Sequence, residues 1–411
     1  MKIAPIDRNI GLRGPIRDRA THIDSMRALA LLGVIVMNVG SMVMTVNARQ
    51  VFAQASTFDL AVAGLDLVLI LGKARSCFAF LFGAGFAILM MRAEARGGGF
   101  RGFYARRMAV LLGFGLVNQV FLFWGDILVT YALLGFALMF LRGWSNAALL
   151  RTGLALVIAP PLIAGLIETM IGHPLPNLLA LPRAAETARA FAAYTSPSYL
   201  DAVAQNIWEG ATRHATGTAH MAIYDLSVFG LFLLGAWSVR TGILLNPQRH
   251  RALLRRVIKW CLPIGLVLGA VNAAPFLGLR PEGLAAAAVT ASYIGVPILA
   301  FCYLASFALL FSKGAGAMQS FLAPAGRMSL TNYLVSGAFG TWFFYGYGLG
   351  QVRNFGMVGI TLFGISLFLA LAVLSRVWLS AFPLGPAEWL WRRLAYGKQA
   401  ATSFGPVTAG A

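Results

Sequence analysis

The chain has 411 residues, of which 59% are hydrophobic and 11% charged, against roughly 25% charged in an ordinary soluble domain. Such a chain cannot hide its apolar surface in a water-soluble core, so the composition excludes that class and predicts a polytopic membrane protein. Its 33 basic and 14 acidic residues, a net +19, do not point to nucleic acid, because the cations cluster between apolar runs as they do in cytoplasmic loops.

At about twenty apolar residues per helix, ten spans are expected, near 27–46, 58–91, 107–124, 127–141, 147–171, 221–244, 257–279, 285–311, 329–346 and 356–378. The fold class is therefore all-α, a transmembrane helical bundle. The first run, Ala28 to Val46, is longer than the roughly 7–15-residue core of a cleavable signal. It reads as a retained span, although "FAQA" (Phe52–Ala55) resembles a cleavage site. The second run is too long for a simple span and is interrupted by "GKARS" (Gly72–Ser76), so it is tilted, kinked or split into two half-helices.

With a cytoplasmic N-terminus, Arg8, Arg13, Arg17, Arg19, Arg92, Arg96, Arg101, Arg106, Arg249, Arg251, Arg255, Arg256, Arg392, Arg393 and Lys398 all fall in inside segments. The outer turns hold little beyond Arg49, Arg280 and Arg353. The positive-inside rule then puts both termini in the cytoplasm. Residues 1–26 form a basic N-terminus, 27–378 the bundle, with an extracytoplasmic loop at about 172–220, and 379–411 a C-terminal tail. The long loop is the one soluble part large enough for a lid or a substrate platform.

Polar groups recur inside the apolar runs. In "HIDSMRALALLGVIVMNVG" (His22–Gly40), Asp24 and Arg27 are spaced to pair, and Asn38 lies eleven residues beyond Arg27, near the same helical stripe. Asp66, Lys73 and Arg75 fall in the second span, and Asn118, Gln119 and Asp126 in or at the end of the third. Arg327 stands before the ninth, which holds Asn332 and Tyr333. Such groups face a partner or a cavity; Asp66 or Asp126 paired with Lys73 or Arg75 is one arrangement, and structural and catalytic roles both stay open. "FWGDILVTYALLG" (Phe123–Gly135) reads as a tight outer turn in which Asp126 caps the next helix, and "GRMSLTNYL" (Gly326–Leu334) as a helix start with Ser329 as N-cap. "FYGYGLG" (Phe344–Gly350) reads as an aromatic belt. Cys77, Cys261 and Cys302 have neither metal-ligand nor disulfide spacing. No metal and no tightly bound cofactor is expected.

Four segments carry a family likeness: "IDSMRALALLGVIVMN"; "GKARSCFAFLFGAGF" with "RRMAVLLGFGLVNQVFLFWGDILVTYALLG"; "GRMSLTNYL…FFYGYGLG"; and "LGPAEWLWRRLAYG". In this order the chain resembles the YeiB-like bacterial membrane proteins, known as domain of unknown function 418. That family looks distantly similar to transmembrane acyltransferases, such as heparan-α-glucosaminide N-acetyltransferase, which pass an acyl group from cytoplasmic acyl-CoA to a sugar. The resemblance implies an acyltransferase-like bundle in the bacterial inner membrane. Arg27 fits the basic residue that opens the acyltransferase pattern, but Asn38 stands where polysaccharide acylators have a histidine, and Asn118 where YeiB-like proteins often have another.

In that reading Arg27 attracts the CoA donor, Asn38 orients the acyl carbonyl, and Asp126, His214 or His220 activates the acceptor. Asp24, Asp66, Lys73, Arg75, Asn118, Gln119, Arg327, Asn332 and Tyr333 are the candidate substrate-binding groups. The expected partners are membrane lipids, acyl-CoA as co-substrate and an envelope glycan; a homodimer is left open. The alternatives are a transporter or flippase without covalent chemistry, and a structural or regulatory membrane partner.

Overall fold

The computed structural model describes residues 16–95, 100–171, 183–215, 219–274, 284–313 and 316–396. These are helical and without strands. In chain order the helices are α1 (Ile16–Ala53), α2 (Thr57–Leu69), α3 (Lys73–Ala95), α4 (Phe100–Val117), α5 (Leu128–Phe140), α6 (Asn146–Ile171), α7 (Arg183–Thr195), α8 (Tyr199–Ala215), α9 (Ala219–Arg240), α10 (Arg251–Ala273), α11 (Leu284–Phe311), α12 (Gly316–Arg327), α13 (Ser329–Phe344), α14 (Met357–Ala381) and α15 (Pro386–Tyr396). A π-helical segment, Asn118–Leu122, extends α4. The protein is an all-α, polytopic membrane protein. The expected spans fall largely on helices where they are described, residues 275–279 of the seventh lying outside the described residues, and among the described residues seven helices are long and apolar enough to cross a membrane. The fourth span, α5, is a short apolar helix.

The overlong second span is two half-helices. Ser56 and Asp59 form a capping box at the start of α2, each satisfying a backbone N–H that helix geometry leaves free. The helix ends where the N–H groups of Ile70 and Leu71 both donate to the Asp66 carbonyl, at 2.9 and 2.8 Å. Gly72 then takes φ +81°, a left-handed conformation that a side chain disfavours, and packs against Val296 of α11. The chain restarts as α3 at Lys73.

Small residues let the helices approach closely, as in other membrane bundles. A Cβ on Gly83 or Gly235 would overlap the partner backbone between α3 and α9, at Phe232 and Phe80. α1 packs on α3, α11, α12, α13 and α14, and Met26, Leu31, Ile35, Met42 and Val43 on it are fully buried. One end of the bundle gathers exposed Arg92, Arg101, Arg106, Arg392 and Arg393 and is the basic end below. The opposite end carries α7 and α8, into which part of the long outer loop folds.

Two local expectations are corrected and a third is refined. Ser329 is not the N-cap of α13; it is the first helical residue, and the Glu388 carboxylate from α15 accepts from the N–H groups of Leu330 (2.8 Å) and Thr331 (3.1 Å) instead. The tight turn expected after the π segment is present, with Phe123, Asp126 and Ile127 buried where α8 packs on the π segment. Tyr345 is not part of an aromatic belt, for it is buried and stacks on Tyr194 of α7 with centroids 4.3 Å apart.

Candidate functional site

A buried polar cluster surrounds Asp126, at the tip of the α4–α5 hairpin. Its Oδ1 accepts from Asn118 Nδ2 (2.7 Å) and from the Tyr333 hydroxyl of α13 (3.3 Å). Its Oδ2 accepts from the Val129 N–H (2.8 Å), the capping role expected for it. The Tyr333 oxygen also accepts from the Ile127 N–H (3.1 Å). The carboxylate is therefore gripped from both arms of the hairpin and from α13. The π segment supplies the geometry, since its wider turn lets the Phe123 N–H reach back to the Asn118 carbonyl (2.7 Å). Single π turns of this kind recur at functional sites.

Two buried amide atoms near this cluster have no hydrogen-bond partner: Asn118 Oδ1 and Asn38 Nδ2, on residues 1% and 4% exposed. A buried polar atom left unpaired costs roughly 1–3 kcal/mol, so each needs an explanation. Asn118 Oδ1 faces Gly337 of α13. Asn38 falls at the same height, for α1 and α13 run parallel and Gly340, one turn beyond Gly337, abuts Met42, one turn beyond Asn38. An unsatisfied donor on α1 and an unsatisfied acceptor on the π segment thus flank α13 at one level.

Helices α7 and α8 close the cluster from the end opposite the basic one. Asn206 Nδ2 donates to the Val120 carbonyl (3.1 Å), and the Tyr199 hydroxyl to the Phe121 carbonyl. Gln119 lies against Gly210 of α8, not against Asp126. Tyr194 donates to Asn206 Oδ1 (2.9 Å), and Arg189 stacks on Trp208 with its guanidinium 4.0 Å from the ring centroid.

The second polar group lies at the break between α2 and α3. Lys73, 1% exposed, donates to the Leu67 carbonyl (2.7 Å), and the Tyr303 hydroxyl to the Leu69 carbonyl (2.9 Å). Both acceptors belong to the last turn of α2, whose carbonyls lack helical donors. Arg75 lies over the Tyr224 ring, 3.9 Å from the centroid, and its carbonyl accepts from Tyr131 (3.1 Å). The expected pairing of Asp66 or Asp126 with Lys73 or Arg75 is not found. Asp66 instead accepts from Thr361 of α14, because α2 packs against that helix.

Asp24 and Arg27 form the expected ion pair (3.0 Å) at the basic end, where a Cβ on Gly326, the neighbour of Arg327, would overlap the Asp24 carbonyl. Arg327 itself donates to the Pro383 carbonyl (3.1 Å). Asn38 is eleven residues from Arg27, about 16 Å along α1, so the three polar groups of that helix belong to two places. Asn332 is spent on the bundle, donating to Ser375 Oγ (2.9 Å) and the Ala325 carbonyl (3.2 Å). The side chains of His214 and His220 lie outside the described residues. The sequence reading missed Tyr131, Asn206 and Tyr303, which are unremarkable polar residues until the folded chain sets them against broken helices. It also missed the partner role of Glu388, though "GPAEW" carries a helix-start signal of proline at its first position. Burial pushes the Glu388 carboxyl up from its usual range, while its bonds to Thr331 and Leu330 pull it down.

Residues 238–398 match the family model described as "Protein of unknown function (DUF418)". The chain is 31% identical over 398 residues to "Uncharacterized protein YxaH" of Bacillus subtilis, covering 92% of this chain and 94% of that protein. It is 27% identical over 409 residues to "Uncharacterized protein YeiB" of Escherichia coli, covering 92% and 96%. On the strength of the match to YxaH across most of both chains, the chain belongs to the YeiB-like DUF418 family.

Proposed function

We propose that this is a bacterial inner-membrane acyltransferase, which moves an acyl group from cytoplasmic acyl-CoA to a hydroxyl or amine of an envelope glycan or smaller acceptor. The observation that carries the reading is the unpartnered Asn38 Nδ2, buried at the level of the Asp126 cluster. A preorganised donor in a dry site is what a developing oxyanion needs. Arg27 and the cations of the basic end, read as cytoplasmic, draw in the anionic donor. The acceptor O–H or N–H gives its proton to Asp126 as its heteroatom bonds to the acyl carbon. The C–S bond of the thioester then breaks, and the departing thiolate takes up that proton as free CoA. Asn118 Oδ1 accepts from a second hydroxyl of the acceptor.

The test is release of free CoA by the purified protein in nanodiscs, given acyl-CoA and envelope glycan fractions. Asn38→Ala should lower turnover by about 10²-fold, the scale of one lost oxyanion donor, with insertion unchanged. Asp126→Asn should abolish it. No CoA release with any acceptor fraction would overturn the reading.

A transporter is the second reading, favoured by the half-helix break at Gly72 and the buried Lys73 beside it, a feature that transporters place at their binding sites. It predicts substrate accumulation in proteoliposomes without CoA, lost in Asp126→Ala. Unchanged accumulation in that variant would remove Asp126 from any transport path.

A further inference from the structure

The C-terminal helix α15 has one face spent and one free. On the spent face, Glu388 caps α13, and Trp391 donates to the Arg107 carbonyl (3.0 Å) beneath the Arg107 guanidinium, 3.7 Å from its ring centroid. Ala395 is buried there too. These contacts fix the rotation and height of the helix. At about 100° per residue, the remaining arc runs from Arg392 through Trp389 and Arg393 to Leu390 and Leu394. All five are exposed, Trp389 by 50% and Leu394 by 51%. Arg393 lies over the Trp389 ring, 5.2 Å from its centroid.

An apolar strip on the bundle leads along α14 to Phe382, just before α15. Along α14, Leu369, Val373, Leu374, Val377 and Trp378 are exposed, as the lipid-facing side of a membrane helix should be. Phe382 then stacks on Trp378, with centroids 4.5 Å apart, and carries the strip to the start of α15. With α14 read as a membrane span, its C-terminal end is where the chain passes into the headgroup region. A helix with two leucines on one flank and, on the other, two arginines about a tryptophan is suited to lie in that region. No carboxylate occupies the free arc, and exposed Arg376 on α14 adds to its positive charge.

We propose that α15 is a membrane-surface helix that binds anionic phospholipid headgroups through Arg392 and Arg393, with Trp389, Leu390 and Leu394 seated among the acyl chains. The occupant is the protein's own bilayer, not a soluble partner or a second copy.

Hydrogen exchange of the full chain tests this in nanodiscs of phosphatidylcholine alone and of phosphatidylcholine mixed with phosphatidylglycerol. Phosphatidylglycerol should slow exchange across α15, by roughly fivefold for each engaged arginine, and leave the α1 core unchanged. High salt should erase the difference in the native protein, because a headgroup contact is screened. Arg392→Gln with Arg393→Gln should erase it at low salt. Equal protection in the two lipids, or a difference insensitive to both salt and the double substitution, would overturn the proposal. So would protection that disappears on reducing the number of copies per disc, which would assign the face to a second copy.

Discussion

Two breaks in helical structure divide the polar chemistry of this protein, and they are repaired in different ways. At Ile70–Gly72 the donors that satisfy the exposed carbonyls come from inside the bundle: Lys73 from the next helix and Tyr303 from α11. At Asn118–Leu122 they come from α8, in the long loop: Asn206 and Tyr199. An unsatisfied carbonyl is expensive where water cannot reach it, so the first break is locked by residues that cannot leave. The second is closed by α8, a helix of the long loop, and the substitution of Asn206 below tests whether that helix lifts to admit water. If it does, the Asp126 cluster is gated and the Lys73 break is the fixed scaffold beside it.

The sharpest way to break the comparison is Lys73→Met. It removes the donor from the Leu67 carbonyl and leaves a buried acceptor unpaired, which should lower stability by about 2 kcal/mol, read from denaturation in detergent. A loss no larger than that of a surface substitution would mean that another donor serves Leu67 and that the break is not locked. Tyr303→Phe should cost less, about 1 kcal/mol for one hydrogen bond with the ring retained, by the same measurement. A cost equal to that of Lys73→Met would place the load of the break on the Leu69 carbonyl instead.

Much of the scaffold was legible because hydrophobic run length is a strong signal in a bilayer. The apolar runs fall on helices where they are described, and "GKARS" announced the break in the second by putting a glycine and two cations inside it. The Asp24–Arg27 pair and the Asp126 cap were also readable, since both are fixed by spacing within four residues. The wider site was not. Asn118 and Asp126 are eight residues apart and meet because a π turn and a hairpin fold one onto the other, and Tyr333 joins them from 207 positions away. Sequence spacing carries no trace of such contacts. Asp66 was misassigned for the same reason: an ionisable group suggests an ion pair, yet the neighbour that α14 offers is a threonine.

The smallest global effect is expected at α8, and it decides whether that helix acts as a lid. Asn206 is buried, and its amide joins Tyr194 to the Val120 carbonyl. In the interior of a bundle, Asn206→Ala would leave two polar groups stranded. At a face that can open, water satisfies both once α8 lifts, so the loss becomes a shift between closed and open forms. The expected result is a change in global stability below about 0.5 kcal/mol. Amide exchange at Leu122 and Phe123 should rise several-fold, because the π segment is uncovered more often. A fall in stability matching that of Lys73→Met would show that α8 is as fixed as the core, and the two breaks would then differ only in which helix supplies the donors. Faster exchange at constant stability would instead leave the Asp126 cluster beneath a lid whose opening is set by two hydrogen bonds.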